Sequence, residues 1–325
     1  MSKTKIAWVR NPDGTQGKSF NPVTGCYPVS PECANCFARR FAERWRDIPG
    51  HPYEQGFDLK LHPERLDQPG RWRKPTTVFV CSMSDLFHQS IPRGYRAQIF
   101  DVMEANPQHT FQCLTKRASE MRNRVNEHWW GLQVPRNIWF GVTVGVRASL
   151  HRVDDLRATP TAVRFLSLEP LLEDLGELDL TGIHWVICGG ESGPGCRPMD
   201  PAWARNIRDQ CVAAGVPFFY KQGSGRTAAE RGNTLDGETW NQMPERAPLR
   251  DAGNTDAGGN HDRACPCCGK DHGLHGRLEY ESTYRIWCSW CHFMATCSPE
   301  HAERLRASFG LWPEPEAIRA DQPDK

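Results

Sequence analysis

Residues 77–85 read TVFVCSMSD, a nearly continuous apolar run that stops in a cluster of small polar and acidic side chains. A run of this kind is buried on both faces, as a strand is in a parallel sheet covered by helices. The pattern recurs at Thr110 to Thr115, Ile138 to Thr143, Val163 to Leu168, His184 to Gly189 and Pro217 to Lys221. Between the runs lie intervals of helical length, among them 93–105, 147–158 and 200–214. Counting a strand near Ser19 to Thr24, the chain holds six or seven β/α units by Lys221. It is therefore predicted to form an α/β fold, a full or partial (β/α) barrel of about six to seven parallel strands. A doubly wound open sheet is the alternative, because order along the chain does not show closure.

The strand ends carry the chemistry. They read Ser82-Met83-Ser84-Asp85, Thr115-Lys116-Arg117, Thr143, Glu169-Pro170, Gly189-Gly190-Glu191-Ser192 and Lys221-Gln222. In parallel β/α folds the active site lies at this C-terminal edge. Asp85 or Ser192 taken alone reads better as a helix cap, but five or six polar ends converging together read as a site. The glycines at 189 and 190 fit either a tight turn or a close approach of backbone to a ligand.

Residues 20–37, FNPVTGCYPVSPECANCF, set Cys26, Cys33 and Cys36 in the loop after the expected first strand. The helix that follows, FARRFAERWR, repeats apolar residues at Phe37, Phe41 and Trp45 with arginines between. Three thiols suit zinc with a fourth ligand from elsewhere, His51 or His62 for example. They equally suit a [4Fe-4S] cluster with one iron left open to a small molecule.

The chain has 325 residues, 38% of them hydrophobic, enough to bury one large domain with something small beside it. Lys+Arg number 40 and Asp+Glu 39, so net charge gives no argument for nucleic acid. Local clusters such as Arg39-Arg40 and Arg71-Arg73-Lys74 could hold phosphate, although a solvated helix face is the commoner reading. No stretch approaches the roughly 20 apolar residues of a membrane span, and MSKTKIAWVR lacks the apolar core of a signal peptide, which predicts a cytoplasmic protein. Fourteen cysteines in a reducing compartment point to metal where clustered and to packing where scattered; Cys81, Cys113 and Cys188 are expected in strands.

Past Gln222 the chain turns polar and Gly-rich, except for LDGETWNQMP, whose Leu235, Trp240 and Met243 are expected to pack back on the main domain. The expected division is a β/α domain over 1–245, a linker over 246–263, a small module over 264–310 and a polar tail over 311–325. The module holds Cys265-x-x-Cys268 and, nineteen residues on, Cys288-x-x-Cys291. Paired knuckles at this separation are the pattern of a four-thiolate zinc ribbon, with Cys267 as a rival ligand and His272 or His292 as possible substitutes.

NPVTGCYPVSPECANCFAR resembles the radical S-adenosylmethionine enzymes related to spore photoproduct lyase. These place Asn-Pro, Gly-Cys, further cysteines and an aromatic-Ala-Arg ending in succession. Those relatives usually have three residues between their first two cysteines, whereas this chain has six, Tyr27 to Glu32. CSMSDLFHQSIP, FQCLTKRA and RFLSLEPLL are similar to their later strand ends, and the resemblance covers roughly residues 1–245. The ordered segments SKTKIAW, NPVTGC, SMSDLFH, LTKR, EPLL, GGESGPGCRPM and LDGETWNQMP identify the chain as a member of a phage- and prophage-associated family. Its members are three-cysteine, radical-SAM-like proteins with no assigned reaction.

The resemblance implies that Cys26, Cys33 and Cys36 ligate a [4Fe-4S] cluster whose open iron takes S-adenosylmethionine. Ser82, Ser84 and Asp85 match cofactor-binding positions, Lys116 is placed to pair with the methionine carboxylate, and Thr143 or Glu169 to meet ribose or substrate. Lys116, Glu169 and Glu191 are the catalytic candidates. Because the relatives' Gly-Gly-Glu follows their second strand and this one follows about the sixth, its amino-group role is not carried over. The resemblance further implies a nucleic-acid base as substrate, an electron donor and a dedicated partner protein. A non-enzymatic metal-stabilised binding protein is the rival.

Overall fold

The computed structural model describes residues 4–130 and 132–244 in full, and the backbone of three further strands at 274–280, 283–288 and 294–297. The elements in chain order are β1 (Lys18–Phe20), β2 (Val23–Thr24), α1 (Phe37–Glu43), β3 (Lys60–Leu61), β4 (Thr77–Val80), α2 (Arg93–Glu104), β5 (Thr110–Thr115) and α3 (Ala118–His128). They continue with β6 (Ile138–Thr143), α4 (Arg152–Arg157), β7 (Arg164–Leu168), β8 (Trp185–Gly189), α5 (Pro201–Ala214), β9 (Phe218–Gln222) and α6 (Ala228–Arg231).

Seven strands form one sheet in the order β1-β4-β5-β6-β7-β8-β9, every neighbouring pair parallel. Spatial order follows chain order, so the doubly wound alternative, whose order reverses part-way, is excluded. Among the described residues β1 and β9 do not pair, and the sheet is a partial barrel.

Side chains alternate across each strand. Val78, Val80, Phe111, Cys113, Phe140 and Val142 face outward and are buried by helices carrying Ile99, Phe100, Met103, Met121 and Val125. Trp139, Phe165, Trp185, Ile187 and Phe219 face inward. That inner face would be open at the bottom but for the N-terminal segment: Trp8, 2% exposed, sits 4.8 Å from the Phe79 ring and 6.1 Å from that of Trp185. Gly141 makes room in the same layer, since a Cβ there would lie 2.5 Å from the Phe165 ring.

Helix ends follow local chemistry. Asp200 caps α5 by accepting from the N–H of Ala202 at 2.8 Å, Pro201 takes the first turn, and Gly215 closes the helix at φ 65°. The LDGETWNQMP segment packs back as expected, with Leu235 buried, Trp240 edge-on to Phe218 at 6.0 Å and Met243 against the inner core. Helix α1 forms where the periodicity placed it, ending before Trp45; its buried residues are Ala38 and Ala42, while Phe37 is 65% exposed. Small residues let the helix lie close to its support; Phe41 is half-buried against them and edge-on to Tyr53 at 5.6 Å, and Phe37 is left at the surface.

Cys81, Cys113 and Cys188 are buried as expected, but Cys81 follows β4 instead of lying in it, at φ 56°. The strands β10 (Leu274–Tyr280), β11 (Thr283–Cys288) and β12 (Met294–Cys297) form an antiparallel three-stranded sheet. Of the expected zinc ligands, Cys265, Cys268 and Cys291 lie outside the described residues, as does the side chain of Cys288. Among the described residues no helix is long and apolar enough to cross a membrane.

Candidate active site at the C-terminal strand edge

The strand ends and the cysteine loop surround one cleft of about 260 Å³. Cys26, Cys33, Cys36, Ser82, Ser84, Asp85, Lys116, Thr143, Glu169 and Glu191 all line it. A wider groove of about 1010 Å³ lies at the opposite edge of β7 to β9, where Asp179 and His184 are the only titratable side chains among the described residues. Convergent charge and thiol chemistry therefore single out the smaller space.

Most of the polar groups in the cleft are committed to holding its walls. Ser84 donates to the carbonyl of Gly25 at 2.5 Å, and Ser82 exchanges hydrogen bonds with Asn21 at 3.1 Å, tying the start of the cysteine loop to the end of β4. Asp85 accepts from the Thr115 hydroxyl at 2.7 Å, from the N–H of Phe87 at 3.0 Å and from Arg117 at 2.9 Å. Glu169, which precedes a cis proline, accepts from the Trp8 indole at 3.0 Å and pairs with Lys221 at 3.0 Å. Glu191 pairs with Arg197 at 2.6 Å and accepts from Asn35, between the second and third cysteines, at 2.7 Å.

The Gly189-Gly190 pair is explained by packing. A Cβ on Gly190 would lie 2.4 Å from the Ser224 nitrogen, and one on Gly189 would lie 2.8 Å from Glu169. Bare backbone lets neighbouring strand ends meet beneath the cleft.

Arg117 is the contact that sequence reading passes over. Its guanidinium donates to Cys26 Sγ at 3.3 Å, to Asp85 and to the carbonyl of Tyr27 at 2.9 Å. Burial pushes the Cys26 thiol up to about 11 and Asp85 adds to the rise, while Arg117 opposes both. Lys116 stands apart: among the described residues its ammonium makes no hydrogen bond or ion pair, which leaves it free for an anionic group in the cleft.

The donor set is three thiols from one loop. Among the described residues no three His, Cys, Asp or Glu side chains gather closely enough to hold a single ion. The histidines named for a fourth ligand are engaged elsewhere: His62 is buried and bonded to Thr24 at 2.9 Å, and His51 stacks on Trp45 at 4.2 Å. Three thiols of one loop that line the cleft are a donor set that a [4Fe-4S] cluster with one position open would take.

The sequence profile described as "Protein of unknown function (DUF5131)" matches residues 3–244. The chain belongs to that family. No curated protein matches it. Among solved structures, a single-substitution variant of spore photoproduct lyase is similar at 11% identity and a TM-score of 0.35, over 64% of each chain. The same enzyme complexed with dinucleoside spore photoproduct is similar at 10% identity and a TM-score of 0.35, over 63% of this chain and 64% of that one. The chain thus spans less than two thirds of the solved chains it matches.

Proposed function

We propose that the cleft is the active site of a radical S-adenosylmethionine enzyme acting on a nucleic-acid base. The observation that supports this reading is the pairing of three thiols from one loop with a single uncommitted ammonium at the mouth of a parallel β/α sheet. Cys26, Cys33 and Cys36 would each hold one iron of a [4Fe-4S] cluster, which when bound supplies the electron for reductive cleavage of S-adenosylmethionine. Lys116 takes the methionine carboxylate. Thr143, which lines the cleft, would meet the ribose or substrate, and the Glu169–Lys221 pair holds the cleft floor in place. The reaction needs an external electron donor, and the family resemblance adds a dedicated partner protein.

Nucleic acid is supported by the rim. Phe37 lines both the cleft and an adjoining groove walled by Arg40, Glu43, Arg44 and Arg231. Arg40 is bonded to the Pro194 and Ser192 carbonyls and Arg231 to Gln222, so that Arg44 is the guanidinium without a hydrogen-bond partner among the described residues. Phe37 stacks on Phe41 with centroids 6.2 Å apart and planes 26° apart. Exposed rings beside guanidinium groups are what unpaired bases and phosphates bind.

Anaerobically purified protein is expected to be brown and to absorb near about 400 nm, with the colour lost in Cys33→Ala. Incubation with S-adenosylmethionine and a strong reductant should release 5′-deoxyadenosine. Protein that stays colourless and takes up only zinc after cluster reconstitution sinks this reading in favour of a non-enzymatic binding protein. Salt-dependent binding of single-stranded DNA or RNA that weakens in Phe37→Ala is the expected substrate result, and no binding at low salt removes the nucleic-acid assignment. The knuckles Cys265-x-x-Cys268 and Cys288-x-x-Cys291 are proposed as a separate zinc site, to be checked by loss of zinc in Cys268→Ser.

A further inference from the structure

The six residues between the first two cysteines end in a carboxylate turned into the protein. Glu32 is 4% exposed, and its Oε1 accepts from the N–H of Gly145 at 3.1 Å, the hydroxyl of Ser149 at 2.8 Å and the guanidinium of Arg152 at 3.2 Å. Arg152 is also buried, and the same Nη1 donates to the carbonyl of Thr143 at 2.7 Å. The fit is close: a Cβ on Gly145 would lie 2.1 Å from the Pro170 carbonyl oxygen and 2.7 Å from Glu32 Cγ. A loop that was merely longer would not carry a charge into the interior, because a buried carboxylate is costly unless it is paired and hydrogen-bonded. Here three donors from the turn between β6 and α4 converge on one oxygen.

We infer that Glu32 is a positioning residue that keys the cysteine loop into the β6–α4 turn and so fixes Cys33, its neighbour, relative to Cys26. Cys26 is held independently by Arg117, and Asn35 is pinned to Glu191 on the far wall. The extra length from Tyr27 to Glu32 is thus a brace that sets the spacing of the three thiols before any metal arrives. The geometry stands without the cluster; its value for catalysis rests on the function proposed above.

The test is peptide-resolved alkylation of the reduced, metal-free, full-length chain under native conditions. Glu32→Ala removes the contact from one side and Gly145→Ala crowds it from the other. In both, alkylation of Cys33 is expected to rise roughly ten-fold as the loop opens locally, while Cys113 and Cys188 in the sheet stay protected. Glu32→Gln keeps an acceptor for Gly145 and Ser149 and should restore part of the protection. If the first two variants fail to fold, Ser149→Ala, which removes one donor, should give a smaller rise at Cys33 alone. Unchanged Cys33 reactivity in folded variants overturns the inference. So does a parallel rise at Cys33 and Cys113 in every variant, which would make Glu32 a residue of general stability. After reconstitution, iron and sulfide per chain should fall in Glu32→Ala relative to the unsubstituted chain. A wild-type chain that takes no iron defeats the enzymatic reading alone, because the alkylation result needs no metal.

Discussion

Replacing Trp8 by alanine probes the plug beneath the sheet. The side chain is 2% exposed, packs on Phe79, Phe165 and Trp185 with centroids 4.8, 6.3 and 6.1 Å away, and donates to Glu169 at 3.0 Å. Truncating a buried tryptophan costs about 3–5 kcal/mol. A hydrogen bond to a charged acceptor contributes about 1.5–3 kcal/mol, part of it within that same loss. At about 2–4 °C per kcal/mol for a domain of this size, Trp8→Ala should lower Tm by roughly 6–20 °C. Trp8→Phe keeps the ring and loses the N–H, so its drop should be a few degrees. Thermal unfolding followed by circular dichroism reads both. If Trp8→Ala unfolds within about 1 °C of the parent, the N-terminal segment is not part of the core and the account of the inner face is wrong.

Three further outcomes are expected. Asp85→Asn strands Arg117 in a pair whose side chains are 11% and 8% exposed, at a cost of about 3 kcal/mol or more, and Tm should fall by at least roughly 6 °C in the same assay. Lys116→Met should leave Tm within about 2 °C, since its ammonium supports no other described side chain. It should nonetheless weaken S-adenosylmethionine binding to reconstituted protein roughly ten-fold or more in equilibrium dialysis; equal binding would remove Lys116 from the site. Acid should loosen the cysteine loop. Burial raises the Glu32 carboxyl, but hydrogen bonds from Ser30, Ser149 and backbone N–H groups outweigh it and bring it from 4.5 down to about 2. Burial likewise raises Glu191, and Arg197 and Asn35 outweigh it to hold the carboxyl below 4.5. A carboxyl depressed in the folded state stabilises above its unfolded value and loses that contribution as pH falls, so Tm should decline from about pH 4.5 toward 2, less steeply in Glu32→Gln.

The sheet was legible because its strands are buried on both faces and spell out as apolar runs; β5 and β6 coincide with the expected bounds, and β7, β8 and β9 fall within a residue of them. Helix α3 was harder to see because Met121 and Val125 are its only large aliphatic core residues among polar neighbours. The strand ends do collect in one cleft, as their shared edge requires. Their duties were not legible, because each depends on a partner distant in sequence: Asp85 on Arg117, Glu169 on Lys221 and Trp8, Glu191 on Arg197 and Asn35. Glu32 gave no signal at all, since one carboxylate in a polar loop looks solvated until Gly145 and Arg152 are placed beside it.

The clamps on the cysteine loop also bear on how the protein is made. Asn35 and Glu191 are 156 residues apart, and at about 5–20 residues per second the ribosome needs roughly 10–30 s to pass from one to the other. Within that interval the loop's holds are made in order: Arg117, which bonds Cys26, then Gly145, Ser149 and Arg152, which hold Glu32, and last Glu191. The full set of clamps is therefore complete only after the eighth strand has been synthesised, and oxidants that reach the nascent chain earlier meet cysteines that are only partly held in place.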